Sequence, residues 1–443
     1  MSRLSLVLVL LTGFALLANT GCRGIDSSEA RPAPALVMPQ PTVSARQDSI
    51  GGMTDGGEVT MARVRQNILI REDSAWARAL RVHYNAIVLD GHIDTPTLML
   101  DRGYRFAERH RIGNVDLPRM YEGGLDAAFF SIYVAPPYGE GEQAVQRARD
   151  MMAELKRQVG ASSDSMALAY SAADVRRITR SGRKAVLMGL EGGHALAGSL
   201  DVLRELHDAG IRYVTLTHIN TNSWADASQA PPRWNGLNDL GRKMVREMNR
   251  LGVLVDLAHV SDSTFYDALA VSEAPVLVSH SSMRALTPGV RNIDDDMLRA
   301  LAKNGGVVMI NFFDAMVNPH ITDEIMEEAY TRLPGQDLHD LWSVVYDVMR
   351  ERGVPHATVE DVVDHIDHAV KVAGIDHVGI GSDFDGVFDL PDGLWDCTRL
   401  PWITYGLVKR GYSDEDIYKI LGGNALRVLE DAERVSHRLQ AHS

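Results

Sequence analysis

The stretch Val-Leu-Asp-Gly-His-Ile-Asp-Thr-Pro, residues 88–96, continues an apolar run that begins at Ala86. Two residues apart on a strand, His92 and Asp94 point to the same face. An imidazole and a carboxylate at the end of a buried strand make half of a metal site. Taken alone, such a pair is more often a capping or hydrogen-bonded pair than a ligand pair. The rest of the chain has to supply the other half.

Runs like Ala86–Asp94 recur at Leu125–Val134, Lys184–Glu191, Tyr213–His218, Gly252–His259, Pro275–His280, Gly305–Phe312 and His377–Asp385, eight in all. Their apolar residues are continuous rather than alternating, which fits strands covered on both faces. Helical patterns lie between them. Over Asn238–Leu251, the residues Leu240, Met244, Val245, Met248 and Leu251 share one stripe, and Gly252 is a suitable stop. Leu200–Ala209 and Asp294–Lys303 read the same way, and Thr358–Ala373 opens on a capping box of Thr358 and Asp361. Eight strands alternating with helices predict an α/β fold, a (β/α)8 TIM-type barrel over residues 70–435. Asp314–Arg352 is longer than a simple connection and reads as an inserted helical excursion over the barrel mouth.

Composition is that of a globular protein, with 443 residues, 45% hydrophobic and 23% charged. A formal charge of −14 argues against a nucleic-acid partner. The two cysteines are Cys22 and Cys397. Near the N-terminus, Arg3 precedes an apolar run from Leu4 to Ala18, short for a membrane span and right for a signal peptide. Asn19-Thr20-Gly21-Cys22 then resembles a bacterial lipoprotein processing site, with Asn19 where that pattern prefers Leu. We therefore expect a signal peptide of lipoprotein type over 1–22, with export to the periplasm or cell envelope and a lipid at Cys22. Residues 23–65 carry Pro, Ser, Ala, Gly and Gln without apolar periodicity and read as a disordered tether; 436–443 form a tail. The barrel then keeps one thiol, Cys397, expected to be structural, and no internal disulfide.

Catalytic groups of such barrels sit at the C-terminal ends of the strands. Those ends carry His92 and Asp94, Glu191, His218, His259, His280, and Asp383 with Asp385. Imidazoles and carboxylates without a thiolate suit Zn²⁺ or another first-row divalent ion. The set exceeds one four-coordinate site, and Glu191, on a middle strand, is placed to bridge two ions about 3.5–4 Å apart. A hydroxide between two metals is a strong nucleophile at neutral pH, and Asp383 is the candidate to carry its proton onward. Asp385 is open between a supporting and a turn role. Arg291 either grips a substrate carboxylate with its guanidinium fork or pairs with Asp294, Asp295 and Asp296. His194 reads as a cap of the next helix, and His365 and His368, beside Asp364 and Asp367, as a solvated or capping face. Trp342 is equally rim or core.

The chain resembles the membrane dipeptidase (renal dipeptidase) family of dizinc metallopeptidases, among the amidohydrolase-like barrels. The matching stretches include Asp90-Gly-His-Ile-Asp94, Asp116-Leu-Pro-Arg119, Gly189-Leu-Glu-Gly-Gly193, Leu216-Thr-His218, Asp256-Leu-Ala-His-Val-Ser261, Ser279-His-Ser-Ser282, Arg291-Asn292 and Gly379-Ile-Gly-Ser-Asp-Phe-Asp-Gly386. They run in family order over residues 75–430. The resemblance implies that His92 and Asp94 hold one zinc, His259 and His280 the other, and that Glu191 bridges both. It implies that His218 contacts substrate and steadies the oxyanion, that Arg291 holds the terminal carboxylate and that Asp383 handles the proton. The activity implied is hydrolysis of dipeptides, including those with a C-terminal D-residue, by a metal-bridging hydroxide; a homodimer is common in the family. The stretch between the seventh and eighth strands departs from the family pattern. Two rivals differ in kind: the same site acting on N-acyl amino acids, β-lactams or lactones, and a non-catalytic envelope binding protein, which would lack ligand residues.

Overall fold

The computed structural model describes residues 73–333 and 340–442. The expected signal peptide, Cys22 and the tether lie outside the described residues. Nine parallel strands form one sheet: β1 Val88–Ile93, β2 Leu125–Tyr133, β3 Met166–Leu168, β4 Lys184–Glu191, β5 Ile211–Thr215, β6 Leu254–Asp256, β7 Leu277–Ser281, β8 Val307–Ile310 and β9 Val378–Ile380. Their order is β2-β1-β9-β8-β7-β6-β5-β4-β3, and an added β2–β4 pairing closes eight of them into the expected (β/α)8 barrel. The ninth, β3, is absent from the sequence reading. Its three residues run beside Lys184–Val186, while β5 takes the same edge of β4 further along, at Met188–Glu191. It is a spur on the barrel, too short to carry a periodic signal.

Alternation along the strands, hidden in the sequence because both faces are apolar, is plain in the packing. Leu89, Phe129, Leu187, Tyr213, Leu254, Leu277 and Met309 fill the barrel. Their neighbours Val88, Phe130, Met188, Val214, Val255, Val278 and Val308 face the surrounding helices. Leu426, Val428 and Leu429 of the C-terminal helix Asn424–Gln440 join the inner cluster. The polar end of the barrel is the opposite one.

The helices start and stop as their sequences direct. Asn238 accepts from the N–H groups of Leu240 and Gly241, and Gly252 (φ 77°) ends that helix. The capping box of Thr358 and Asp361 forms. The excursion after β8 consists of Asp314–Val317, Asp323–Arg332 and Leu341–Arg352, with its own apolar cluster of Ile325, Ala329, Leu341, Val345 and Val348.

Two expectations fail here. Ser199, not His194, caps the helix Leu200–Asp208, and His194 is buried in the turn Gly193–Leu196. His365 is not on a solvated face: it is buried and its Nδ1 accepts from Met283 N–H at 2.9 Å. His368 pairs instead with Asp295 at 2.7 Å. The helix turns its i,i+3 pair toward two different neighbours, so no shared face results.

Burial pushes the His365 imidazole down to about 3. The unfolded chain takes up a proton near pH 6.5 and the folded chain does not, so His365 destabilises the fold as pH drops below 6.5. Between pH 7 and pH 5 this costs about 2 kcal/mol. Unfolding free energies from denaturant titrations at pH 7 and pH 5 therefore differ less in His365→Asn than in the unsubstituted chain, by about 2 kcal/mol; an equal difference in the two proteins would refute the assignment.

Candidate metal centre

Asp94 is the first residue beyond β1 and occupies the N-cap position of helix Thr95–Arg102, yet its side chain makes no capping bond. Its Oδ2 lies 3.1 Å from His92 Nε2. The capping explanation of the His-x-Asp pair therefore fails. So does the expectation that both residues lie on the strand. The pair still meets because the chain turns at Asp94.

Glu191, the last residue of β4, divides its two oxygens. Oε2 lies 3.3 Å from His92 Nε2 and accepts from Ser131 Oγ at 2.9 Å. Oε1 faces His259 Nε2 at 3.2 Å, His280 Nε2 at 3.6 Å and His218 Nε2 at 3.8 Å. His259 and His280 bring their Nε2 atoms within 2.9 Å of each other. All eight residues singled out from the sequence, namely His92, Asp94, Glu191, His218, His259, His280, Arg291 and Asp383, are thus drawn to one end of the barrel, and all but His92 and His280 line one cavity of about 260 Å³.

His218, His259 and Asp383 stand three residues past β5, β6 and β9, which stop earlier than the sequence runs suggested. His259 and Asp383 have φ of 66° and 63°, left-handed values that no strand can carry. Non-glycine residues held this way mark sites where surrounding structure imposes the conformation. Gly386 is required by the same crowding: a Cβ there would lie 2.2 Å from Asp94 Oδ2 and 2.5 Å from Asp383 Oδ1.

The surroundings fix which lone pairs face inward. His280 Nδ1 lies 2.8 Å from Ser279 Oγ, whose own hydroxyl donates to Asp256 Oδ2 at 2.6 Å. Ser279 thus accepts from the Nδ1–H, and His280 Nε2 is left bare toward Glu191. His92 Nδ1 meets the Tyr213 hydroxyl at 2.7 Å, deep in the barrel. Tyr213 lies flat across β4 because residue 189 is Gly: a Cβ there would come within 2.0 Å of its ring.

Burial, with Arg291 and the neighbouring imidazoles, holds His259 and His280 well below the usual histidine range. His218 is pushed down to about 4, again chiefly by burial. Burial works against the Glu191 carboxylate, but His92 and His259 outweigh it and keep Glu191 ionised. His92 resists burial too, pulled up by Tyr213, Glu191 and Asp94, so a proton and a metal ion compete for its Nε2. Asp94 Oδ1, His218 Nδ1 and His259 Nδ1 are buried without a hydrogen-bond partner among the described residues. Groups of three, His92–Glu191–His280, Glu191–His218–His259 and His92–Asp94–Asp383, each place ligand atoms within 4.8 Å of one another. Neutral imidazoles and carboxylates converging at that spacing fit a divalent first-row ion.

Around this cluster, Asp383 Oδ2 accepts from Asn311 Nδ2 at 2.9 Å. Burial, with Asp94 and Glu191, pushes the Asp383 carboxyl up to about 7. Asp385 is otherwise engaged, its oxygens accepting from Thr95 Oγ1 and Asn114 N–H, both at 2.5 Å. Arg291 is buried, with its Nη atoms 3.4 Å from Ser281 Oγ and His280 O. The aspartates expected as its alternative partners pair elsewhere: Asp294 with Arg284, Asp296 with Arg299, Asp295 with His368 and Arg299. Asn311 and Tyr213 escaped the sequence reading. The first was visible as the one amide in the apolar run Gly305–Phe312, the second only as an aromatic among aliphatics.

The profile of the membrane dipeptidase family, peptidase family M19, matches residues 76–443. The chain belongs to that family. It is 40% identical over 369 residues to dipeptidase tcpJ of Claviceps purpurea (strain 20.1), covering 82% of this chain and 76% of that one. Among solved structures, the probable dipeptidase PvdM from Pseudomonas aeruginosa superposes with a TM-score of 0.73 at 27% identity, covering 82% of this chain and 99% of that one. A metallopeptidase from Rhodobacter sphaeroides, solved with a phosphinate mimic of L-Ala-D-Ala, gives a TM-score of 0.65 at 27% identity, covering 78% and 99%. Membership makes the chain a metallo-dipeptidase with an amidohydrolase-like barrel.

For this dipeptidase, the Tyr213 hydroxyl is the support of a candidate ligand. Tyr213→Phe keeps the ring over Gly189 and removes only the bond to His92 Nδ1. Losing such a support weakens metal binding by about 10–100-fold. Titration of the metal-free protein with zinc against a chromophoric chelator will show that loss; unchanged affinity would exclude the role.

Proposed function

We propose that the protein is a zinc dipeptidase holding two ions, one between His92 and Asp94 and one between His259 and His280, with Glu191 shared. The observation that supports this best is the division of Glu191, Oε2 toward His92 and Oε1 toward His259 and His280. Ions held there polarise the scissile carbonyl and lower the pKa of an adjoining water.

The chain's own groups do the rest. Arg291, buried and without an acidic partner at hydrogen-bond distance among the described residues, binds the substrate's terminal carboxylate through its fork. His218, neutral, lies on the far side of Glu191 Oε1 and stabilises charge on the carbonyl oxygen. Asp383, steadied by Asn311, takes the proton of the attacking water and returns it to the leaving amine. The substrates include dipeptides ending in a D-residue; the dipeptide mimic bound by the Rhodobacter sphaeroides metallopeptidase supports that breadth.

Glu191→Gln and His259→Ala will each lose bound zinc and dipeptide hydrolysis while circular dichroism shows the barrel intact. Normal turnover by a zinc-depleted Glu191→Gln protein would overturn the reading. Arg291→Ala will lower kcat/KM on Ala-Ala by about 10–100-fold, the worth of a charged hydrogen-bonded pair. The unsubstituted enzyme will lose as much on the amide of Ala-Ala, and the two losses will not add. Full additivity would place the carboxylate elsewhere.

We also propose that the chain is exported to a bacterial envelope and lipidated at Cys22, supported by the apolar run from Leu4 to Ala18 and by Thr20-Gly21-Cys22. Cys22→Ser will move the protein from the membrane fraction to the soluble fraction of expressing bacteria; no change in fractionation would refute the anchor.

A further inference from the structure

The cavity has one polar wall and one apolar wall. Asp383, Arg291 and Glu191 share it with Phe313, Met316, Trp342, Val387 and Phe388. Phe313 packs against Trp342 and Phe388 with ring centroids 5.5 and 5.3 Å apart, and against Tyr346 at 5.9 Å. This cluster comes from the excursion after β8, the stretch that the sequence pattern marked as departing from the family, and from the loop after β9. Phe388 is 66% exposed, whereas Phe313, against which it packs, is buried and Tyr346 is half-buried. A ring left in water at the rim of an aromatic cluster gains little for folding and is free to cover a ligand.

The order of the strands says which part of a substrate meets this wall. β7, β8 and β9 are adjacent. Arg291 follows β7, Phe313 follows β8 and Asp383 follows β9. The wall therefore rises between Arg291 and Asp383. In a dipeptide poised for hydrolysis, Asp383 serves the nitrogen of the leaving residue and Arg291 its carboxylate. Both groups belong to one amino acid, so its Cα lies between the two anchors, beside β8.

We propose that Phe313, Met316, Trp342 and Phe388 receive the side chain of the C-terminal residue, and that the preferred substrates are dipeptides ending in a large apolar or aromatic residue. This rests on the dipeptidase reading above, with Arg291 and Asp383 in the roles given there. The wall offers no charge to a polar side chain. The two acids adjacent to the wall in sequence are engaged elsewhere: Asp314 spends its Oδ1 on Ala357 N–H at 2.6 Å and its Oδ2 on Asn318 Nδ2 at 3.2 Å, and Asp389 accepts from Leu390 N–H with Oδ1 at 3.1 Å and faces His356 Nδ1 with Oδ2 at 3.4 Å. An acidic side chain here would lose water and gain no partner, whereas an apolar one gains by burial.

The test uses the zinc-loaded full chain with Ala-Gly, Ala-Asp, Ala-Leu and Ala-Phe, and with Gly-Ala and Phe-Ala as the reversed pair. Burying a large apolar side chain in part is worth about tenfold or more in kcat/KM, so Ala-Leu and Ala-Phe will exceed Ala-Gly by that factor and Ala-Asp will fall below it. In Trp342→Ala, and separately in Phe388→Ala, the ratio of Ala-Phe to Ala-Gly will shrink by about fivefold, while the ratio of Phe-Ala to Gly-Ala stays within about twofold. Phe388 is exposed, so its truncation tests the pocket even where Trp342→Ala fails to fold. An unchanged Ala-Phe to Ala-Gly ratio in the variants, or a fall in the Phe-Ala to Gly-Ala ratio instead, overturns the pocket alone. No cleavage of any of these peptides by the unsubstituted enzyme overturns the dipeptide reading and the pocket with it.

Discussion

One carboxylate has to answer imidazoles on both sides. Glu191 meets His92 with Oε2 and His259 and His280 with Oε1. To do so it cannot move, and its backbone is held from both edges. It is in register with Tyr133 of β2 on one side and with Thr215 of β5 on the other. Every interior strand is held at both edges in this way, and closure makes every strand of the barrel an interior one. The imidazoles arrive from β1, from beyond β6 and from β7, so the spacing of the ligand atoms follows from the barrel and not from any local loop.

The barrel in turn has to tolerate a polar core at one end. It does so by layering. Apolar residues close the end nearest the C-terminal helix, Tyr213 crosses the middle, and the imidazoles and carboxylates fill the far end. Tyr213 belongs to both worlds, with its ring against Phe129 at a centroid distance of 4.9 Å and its hydroxyl against His92. Gly189 makes that position available, since a methyl group there would collide with the ring. A glycine in one strand thus decides how the candidate ligand of another is oriented.

The parts of this arrangement that the sequence displayed are those with a repeated physical cause. Strands buried on both faces must be apolar throughout, so eight runs stood out, and each ended where polar residues began. Short or irregular features had no such signature. β3 has three residues. His259 and Asp383 adopt left-handed backbone, which no residue preference announces, so the strands were drawn too long. Arg291 was ambiguous because charge complementarity with Asp294–Asp296 is visible in sequence; the helix pairs of Arg299 with Asp295 and Asp296 compete locally, and the capture of Asp294 by Arg284 and of Asp295 by His368 is a matter of tertiary placement. His365 failed for the same reason: its neighbours in sequence are acidic, but its neighbour in space is the Met283 amide.

The same placement explains why the site is incomplete by itself. Burial lowers the Arg291 guanidinium to about 10 and raises Asp94 and Asp383, each a sign that charge here lacks compensation from the protein. Buried charges that a fold leaves uncompensated reduce its stability, and a purely structural core would replace them with apolar side chains. In the reading proposed above, cations among the imidazoles and carboxylates, and a substrate carboxylate on Arg291, would remove both imbalances at once. A peptide whose next residue replaces that carboxylate with an amide would leave the guanidinium buried and unmatched. On that reading, electrostatics favours the shortest peptide that can span Glu191 and Arg291, which is a dipeptide.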